Sequence, residues 1–169
     1  MEKEINFTVE NINLNYFSQD GMGERLEVLL RSSLTIFSKK AFKILKEDFE
    51  SLEVNLNVVD DDEIQKLNEE YRGKDRATDV LSFPLQENIR RGEFDQFEGH
   101  LELGDIFIAV GVCERQAKEN DLTFDQEFVH LFVHGLLHLC GYDHEESLEE
   151  EEIMGQLESE IMDELAQTN

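Results

Sequence analysis

Positive charge is what this chain of 169 residues lacks most: 15 Lys and Arg stand against 40 Asp and Glu, a formal net charge of −25. Phosphate binding needs concentrated Lys and Arg, so the balance argues against a protein that coats nucleic acid. Part of the deficit is local, because Glu145 to Glu164 holds ten acidic residues and no Lys or Arg. A run of that kind reads as the solvated face of a helix, and charge must be weighed site by site. Cysteine is scarce too. Cys113 and Cys140 are too few for a disulfide framework, so the cytoplasm is the expected compartment. No apolar run approaches the roughly 20 residues of a membrane helix, and no membrane contact is expected. The opening MEKEINFTVENINLNYF lacks the basic-then-apolar order of a signal peptide. A single proline, Pro84, and the absence of Ser/Gly-rich linkers or repeats leave no mark of a domain boundary. With 40% hydrophobic and 33% charged residues, one soluble domain over residues 1–169 is expected.

What is present is an interleaving of two periodicities. INFTV alternates Ile5, Phe7 and Val9, and SLEVNLNVVD alternates Leu52, Val54, Leu56 and Val58, each the signature of a strand. TDVLSFP, ended by Pro84, and the mostly apolar LGDIFIAV complete four expected strands. Helical spacing runs from about Gly23 to Lys46 through Leu26, Leu30, Leu34, Phe37, Phe42 and Leu45. DDEIQKLNEEYRG reads as a short helix capped by Asp61 or Asp62 and stopped by Gly73, and GVCERQAKEN as another. Thr123 or Asp125 can cap a further helix, and a last one from Ser147 to Ala166 buries Ile153, Met154, Leu157, Ile161 and Leu165. Gln86 to His100 is polar and reads as a long loop. The expected fold is α+β with α/β-like character: a small mixed four-stranded sheet packed with about five or six helices.

One of those helices carries HGLLHLCGYDH, with His134, His138 and His144 and a glycine at 141. This is the ligand spacing of a branch of zinc peptidases, H-E-x-x-H-x-x-G-x-x-H, so a zincin-like metal-site helix is expected. Positions four apart lie about 40° apart around a helix axis, which lets His134 and His138 face one ion. Gly141 then ends the helix in the left-handed conformation, and the turn through Tyr142 and Asp143 returns His144. Three imidazoles suit one Zn2+ per chain, nickel or another transition metal being possible, and leave a position open for water. A closed structural zinc site, or histidines satisfied by ordinary hydrogen bonds, are the alternatives. His130, one turn earlier, reads as a supporting residue rather than a ligand, and Cys140 as a buried small hydrophobe. Asp143 either orients a ring or caps the turn.

The peptidase glutamate is missing: its position is Gly135. A metal lowers the pKa of bound water from about 16 towards 7, so hydrolysis does not require that carboxylate. Phosphodiester cleavage asks instead for a cation at the phosphoryl oxygens. YRGKDRATDVLSFP offers Arg72, Lys74 and Arg76, although standing alone these are better read as ordinary surface charge on a loop.

The combination of NEEYRGKDRATDVLSFP, LGDIFIA and HLFVHGLLHLCGYDH, in that order, resembles the YbeY family of bacterial endoribonucleases. The resemblance covers approximately Leu52 to Glu145. It implies a three-histidine zinc site at His134, His138 and His144, and a conserved arginine at Arg72, assigned to phosphate binding and transition-state stabilisation. It also implies single-strand RNA cleavage, maturation of the 3′ end of small-subunit rRNA and a part in ribosome quality control. The partners implied are ribosomal RNA and the small subunit or accessory proteins. Ala77 stands where the family usually has proline, and the acidic tail after Glu145 lies outside the matched core. The competing readings are a metallohydrolase of another substrate, such as a peptide, and a non-catalytic ribosome-assembly factor with structural zinc. Glu127, Asp105 and the pair Arg90 and Arg91 are weaker candidates near the site.

Overall fold

Alternation in SLEVNLNVV makes a strand with one dry face, and that strand is the centre of the fold. A computed structural model of the chain describes residues 3–9, 12–18, 23–41, 51–92, 94–95 and 99–168. In β3 (Ser51–Val59) the side chains of Leu52, Val54 and Leu56 are buried, while Glu53 and Asn55 between them stay half-covered. Strand β5 (His100–Ala109) pairs parallel to β3, and β4 (Val80–Pro84) pairs antiparallel along the other side of β5. On the far side, β1 (Lys3–Val9) and β2 (Ile12–Ser18) are antiparallel to each other, and β2 runs parallel to β3. The order is β1-β2-β3-β5-β4, a mixed sheet of five strands among the described residues, not the expected four. The addition is β2, INLNYFS, whose ladder to β3 joins Ile12 to Leu52. Ile12, Leu14 and Tyr16 alternate with Asn13 and Asn15, a strand period that the four-strand expectation passed over, and the pairing itself is remote in sequence.

Among the described residues five α-helices accompany the sheet: α1 (Glu24–Ala41), α2 (Asp61–Arg72), α3 (Val110–Glu119), α4 (Phe124–Leu139) and α5 (Leu148–Thr168). Phe42 and Leu45 of the expected first helix lie outside the described residues, as do 93 and 96–98 of the expected loop. Within that loop a 3-10 turn, Ile89–Arg91, buries Ile89, and His100 already belongs to β5. Successive side chains of a strand point to opposite faces. Ile106 and Ile108 of β5 therefore join Phe37, Phe128, Phe132 and Ile161 in the main core, supplied by α1, α4 and α5. Ala109 and Phe107 join Ile64 and Leu81 in a smaller cluster beneath α2. No helix of the described residues is long and apolar enough to cross a membrane.

Two caps fix the helices that matter for the site. Asp60, one residue before the expected pair, caps α2: its carboxylate accepts from Glu63 N at 2.9 Å, while Glu63 accepts from Asp60 N. A capping box needs an acceptor side chain three residues before a Glu or Gln, and Asp60 with Glu63 meets that spacing. Thr123 and Gln126 form the same box at the start of α4, which settles the choice between Thr123 and Asp125.

Candidate metal centre

On α4, His134 and His138 are one turn apart, and their Nε2 atoms face each other at 3.1 Å. The helix gives out at Leu139. Gly141 has φ +96°, a conformation L side chains resist, and Asn88 Oδ1 would lie 2.6 Å from a Cβ there. Gly141 N donates to His138 O and Tyr142 N to Leu137 O, closing the turn that carries His144 back. The His144 ring centroid stands 5.2 Å from that of His134 and 5.1 Å from that of His138. One nitrogen from each ring lies within 4.8 Å of the others, so the three expected ligands do converge on one point.

The donor chemistry fits a metal ion. Burial, then the neighbouring charges of His134 and His144, lower the His138 pKa to about 4, so this ring is neutral at neutral pH, the form that ligates. His144 Nδ1 is buried without a hydrogen-bond partner among the described residues. An unmet buried nitrogen is costly unless something answers it. The His134/His138/His144 cluster can thus hold a metal ion.

A residue the sequence reading did not single out completes the cluster. Glu158 of α5 is hydrogen-bonded to His134 Nδ1 through one carboxylate oxygen, and its other oxygen lies 3.5 Å from His130 Nε2. Burial alone would raise the Glu158 pKa, but the hydrogen bonds from His130 and His134 outweigh it and hold the carboxyl at about 2. An ionised carboxylate only accepts, so His134 Nδ1 carries a proton, and Nε2, facing His138, is the nitrogen left to ligate. This is the carboxylate–histidine arrangement that orients metal ligands. The signal lay in the acidic run: Met154, Ile161 and Leu165 are the buried stripe of α5, and Glu158 falls on it.

The remaining candidates separate cleanly. His130 stands aside from the trio, with Glu158 at 3.5 Å and Glu127 at 3.8 Å. Glu127 is buried against His130 and does not reach the three rings. Asp105 sits on β5 opposite Phe83, with no hydrogen bond to those rings among the described residues. Asp143 accepts from Glu145 N at 2.9 Å, the turn-capping alternative. Cys140 is buried, as expected. Arg90 does not extend a positive cleft: it is ion-paired to Glu150 and lies 4.3 Å over the Tyr142 ring. Arg91 is exposed beside it.

Gly135 faces away from the rings. A Cβ there would sit 3.0 Å from Ile106 Cγ2 and 3.2 Å from Ser82 Oγ, and Ser82 donates to Gly135 O at 3.3 Å. The position lies in the contact between α4 and strands β4 and β5, where a larger side chain has no room.

A cleft of about 1020 Å³ opens over the imidazoles. His134, His138 and His144 line it together with Tyr71, Arg72, Lys74 and Arg76. The basic residues follow from the end of α2, where Gly73 takes φ +68°. The loop is pinned by Asn68, which donates to Arg76 O at 2.9 Å, and by Gln65, which donates to Asp75. Arg72, Lys74 and Arg76 are exposed and have no ion-pair partner among the described residues. The lining also includes the acidic residues Asp79, Glu87, Asp143, Glu145 and Glu146.

Fold and site together define an α+β protein with a three-imidazole, metal-binding geometry at the floor of a half-basic cleft. The family model described as Endoribonuclease YbeY matches residues 8–166. The chain is 35% identical over 161 residues to the Endoribonuclease YbeY of Francisella tularensis subsp. tularensis strain SCHU S4, covering 95% of this chain and 90% of that one. The counterpart in subsp. novicida strain U112 is also 35% identical, with 95% and 93% covered. The solution structure of TM1509 from Thermotoga maritima superposes with a TM-score of 0.55 at 30% identity, covering 91% of this chain and 88% of that one. The chain belongs to the endoribonuclease YbeY family.

Proposed function

We propose that this protein is a metal-dependent endoribonuclease that cleaves single-stranded RNA. Its place is the cytoplasm, in maturation of the 3′ end of small-subunit rRNA and in ribosome quality control. The observation that carries the reading is the sharing of one cleft by the imidazole trio and three exposed cations that have no ion-pair partner among the described residues. Membership of the family supplies the substrate class.

His134, His138 and His144 would hold the ion, and three nitrogen donors favour zinc or a neighbouring transition metal over magnesium or calcium. When bound, such an ion supplies Lewis acidity, which lowers the pKa of water and polarises phosphoryl oxygen. The chain's own residues do the rest. Glu158 fixes the His134 tautomer, and burial keeps His138 neutral. Arg72 presents a planar guanidinium with donors matched to two phosphate oxygens, where negative charge builds as the phosphodiester is cut. Lys74 and Arg76 hold the flanking strand by charge alone.

The test is metal analysis combined with cleavage of single-stranded RNA by wild-type and His138→Ala protein. A transition metal near one per chain, and cleavage abolished in the variant, are the expected outcomes. Metal-loaded wild-type protein that leaves RNA uncut, alone and with small ribosomal subunits, overturns the reading in favour of an assembly factor.

A further inference from the structure

We infer that Tyr71 is a stacking platform for one unpaired nucleobase of the RNA, set beside the phosphate-binding Arg72; the inference rests on the endoribonuclease reading above. Among the described residues five large apolar side chains are exposed: Val28, Tyr71, Leu85, Leu122 and Leu148. Of these Tyr71, at 61% exposure, lines the cleft with the imidazoles. Its position in the last turn of α2 does not require an aromatic ring, and no hydrogen bond of its hydroxyl holds it among the described residues.

The ring is nevertheless held. Its centroid lies 5.1 Å from that of Phe83 at an interplanar angle of 67°. Phe83 in turn lies 5.6 Å from Phe107 at 86°. Two edge-to-face contacts thus run from the small core cluster under α2 up to the cleft wall, and Tyr71 is the exposed end of that ladder. A ring fixed by such contacts loses little freedom when a flat ligand settles on it. Tyr71 and Arg72 line the same cleft, which offers one strand a π-face and a phosphate donor, the two contacts a nucleotide makes.

Charge explains why such a contact is needed. At −25 the chain gains little from the long-range attraction that usually draws RNA in. Stacking is short-ranged, indifferent to net charge and tolerant of base identity. It also requires a base free of its own stack and partner, so the platform selects single strands over duplexes.

The chain contains no tryptophan, so Tyr71→Trp places a lone indole on the platform. Stopped-flow mixing of the metal-loaded variant with a short single-stranded RNA is expected to quench its emission before cleavage, and the matching duplex to leave it bright. In steady-state cleavage, Tyr71→Leu keeps an apolar contact with Phe83 but removes the π-face. It is expected to raise KM about ten-fold with kcat nearly unchanged, while Tyr71→Phe keeps the wild-type KM. An indole unaffected by single-stranded RNA, or a Leu variant with wild-type KM, overturns the platform and leaves the nuclease reading standing. Quenching by RNA that the wild type never cuts does the reverse.

Discussion

Glu158 binds His134 and His130 at once, one carboxylate oxygen on Nδ1 of the first ring and the other 3.5 Å from Nε2 of the second. The acidic helix α5 is therefore anchored to the imidazole cluster as well as to the core. Loss of such a ligand-orienting partner typically costs ten- to a hundred-fold in metal affinity. Glu158→Ala is expected to raise the metal Kd by roughly that factor, and Glu158→Gln by less, because its amide oxygen still accepts. Competition with a chromophoric chelator reads this without any RNA. Wild-type affinity in the Ala variant, with helix content preserved, would show that His134 needs no support.

Arg72 is exposed, so its removal is expected to leave folding and metal content intact. Arg72→Ala should lower kcat/KM for RNA by on the order of a hundred-fold or more, as for other donors that meet transition-state charge. Arg72→Lys should recover only part of this, since an ammonium cannot span two phosphate oxygens. Equal cleavage by all three proteins would remove Arg72 from the chemistry.

Restoring the peptidase glutamate is expected to break the protein rather than convert it. At position 135 the side chain would enter the packed layer between α4 and Ile106, carrying a charge with no cation to meet it. Overpacking and an unpaired buried charge together cost more than about 3 kcal/mol. Gly135→Glu should therefore unfold at markedly lower denaturant and show no proteolysis. A stable, peptide-cleaving variant would mean that this face of α4 does reach the metal.

The two thiols give a pH signature. Burial, followed by the charges of Glu127, Glu114, Asp79 and Asp125, pushes Cys113 up to about 12 from an ordinary 9.0. Burial alone pushes Cys140 higher still. A pKa raised on folding lends stability that is whole below pH 9 and lost as pH climbs through 12, at up to about 1.4 kcal/mol per pH unit for Cys113. Denaturation midpoints are expected to fall across this range, and less steeply in Cys113→Ala. Neither thiol should react with a disulfide reagent at pH 8 until denaturant is added.

Local chemistry was readable from the chain, and remote chemistry was not. The spacing of His134, His138 and Gly141 encodes a helix, its stop and a convergence point, since each acts on neighbours within one or two turns. The alternation of Leu52, Val54 and Leu56 encodes a strand for the same reason. Ile12, Leu14 and Tyr16 carry the same strand period in β2, but its partner β3 lies across a long separation that no period reveals. Arg90 looked free because its partner Glu150 is 60 residues away. Glu158 looked like one more solvated acid in a run of them, although its spacing from Met154 and Ile161 placed it on the buried stripe.

The position of Glu158 also sets an order of events. Every expected ligand precedes it, and His134 lies 24 residues upstream. A chain made from its N-terminus therefore adds the three imidazoles before the carboxylate that orients one of them, and all four leave the ribosome close together. The tautomer of His134 is fixed only once α5 packs against α4. The imidazole cluster is thus fully oriented only when α5, the last helix of the described residues, has docked.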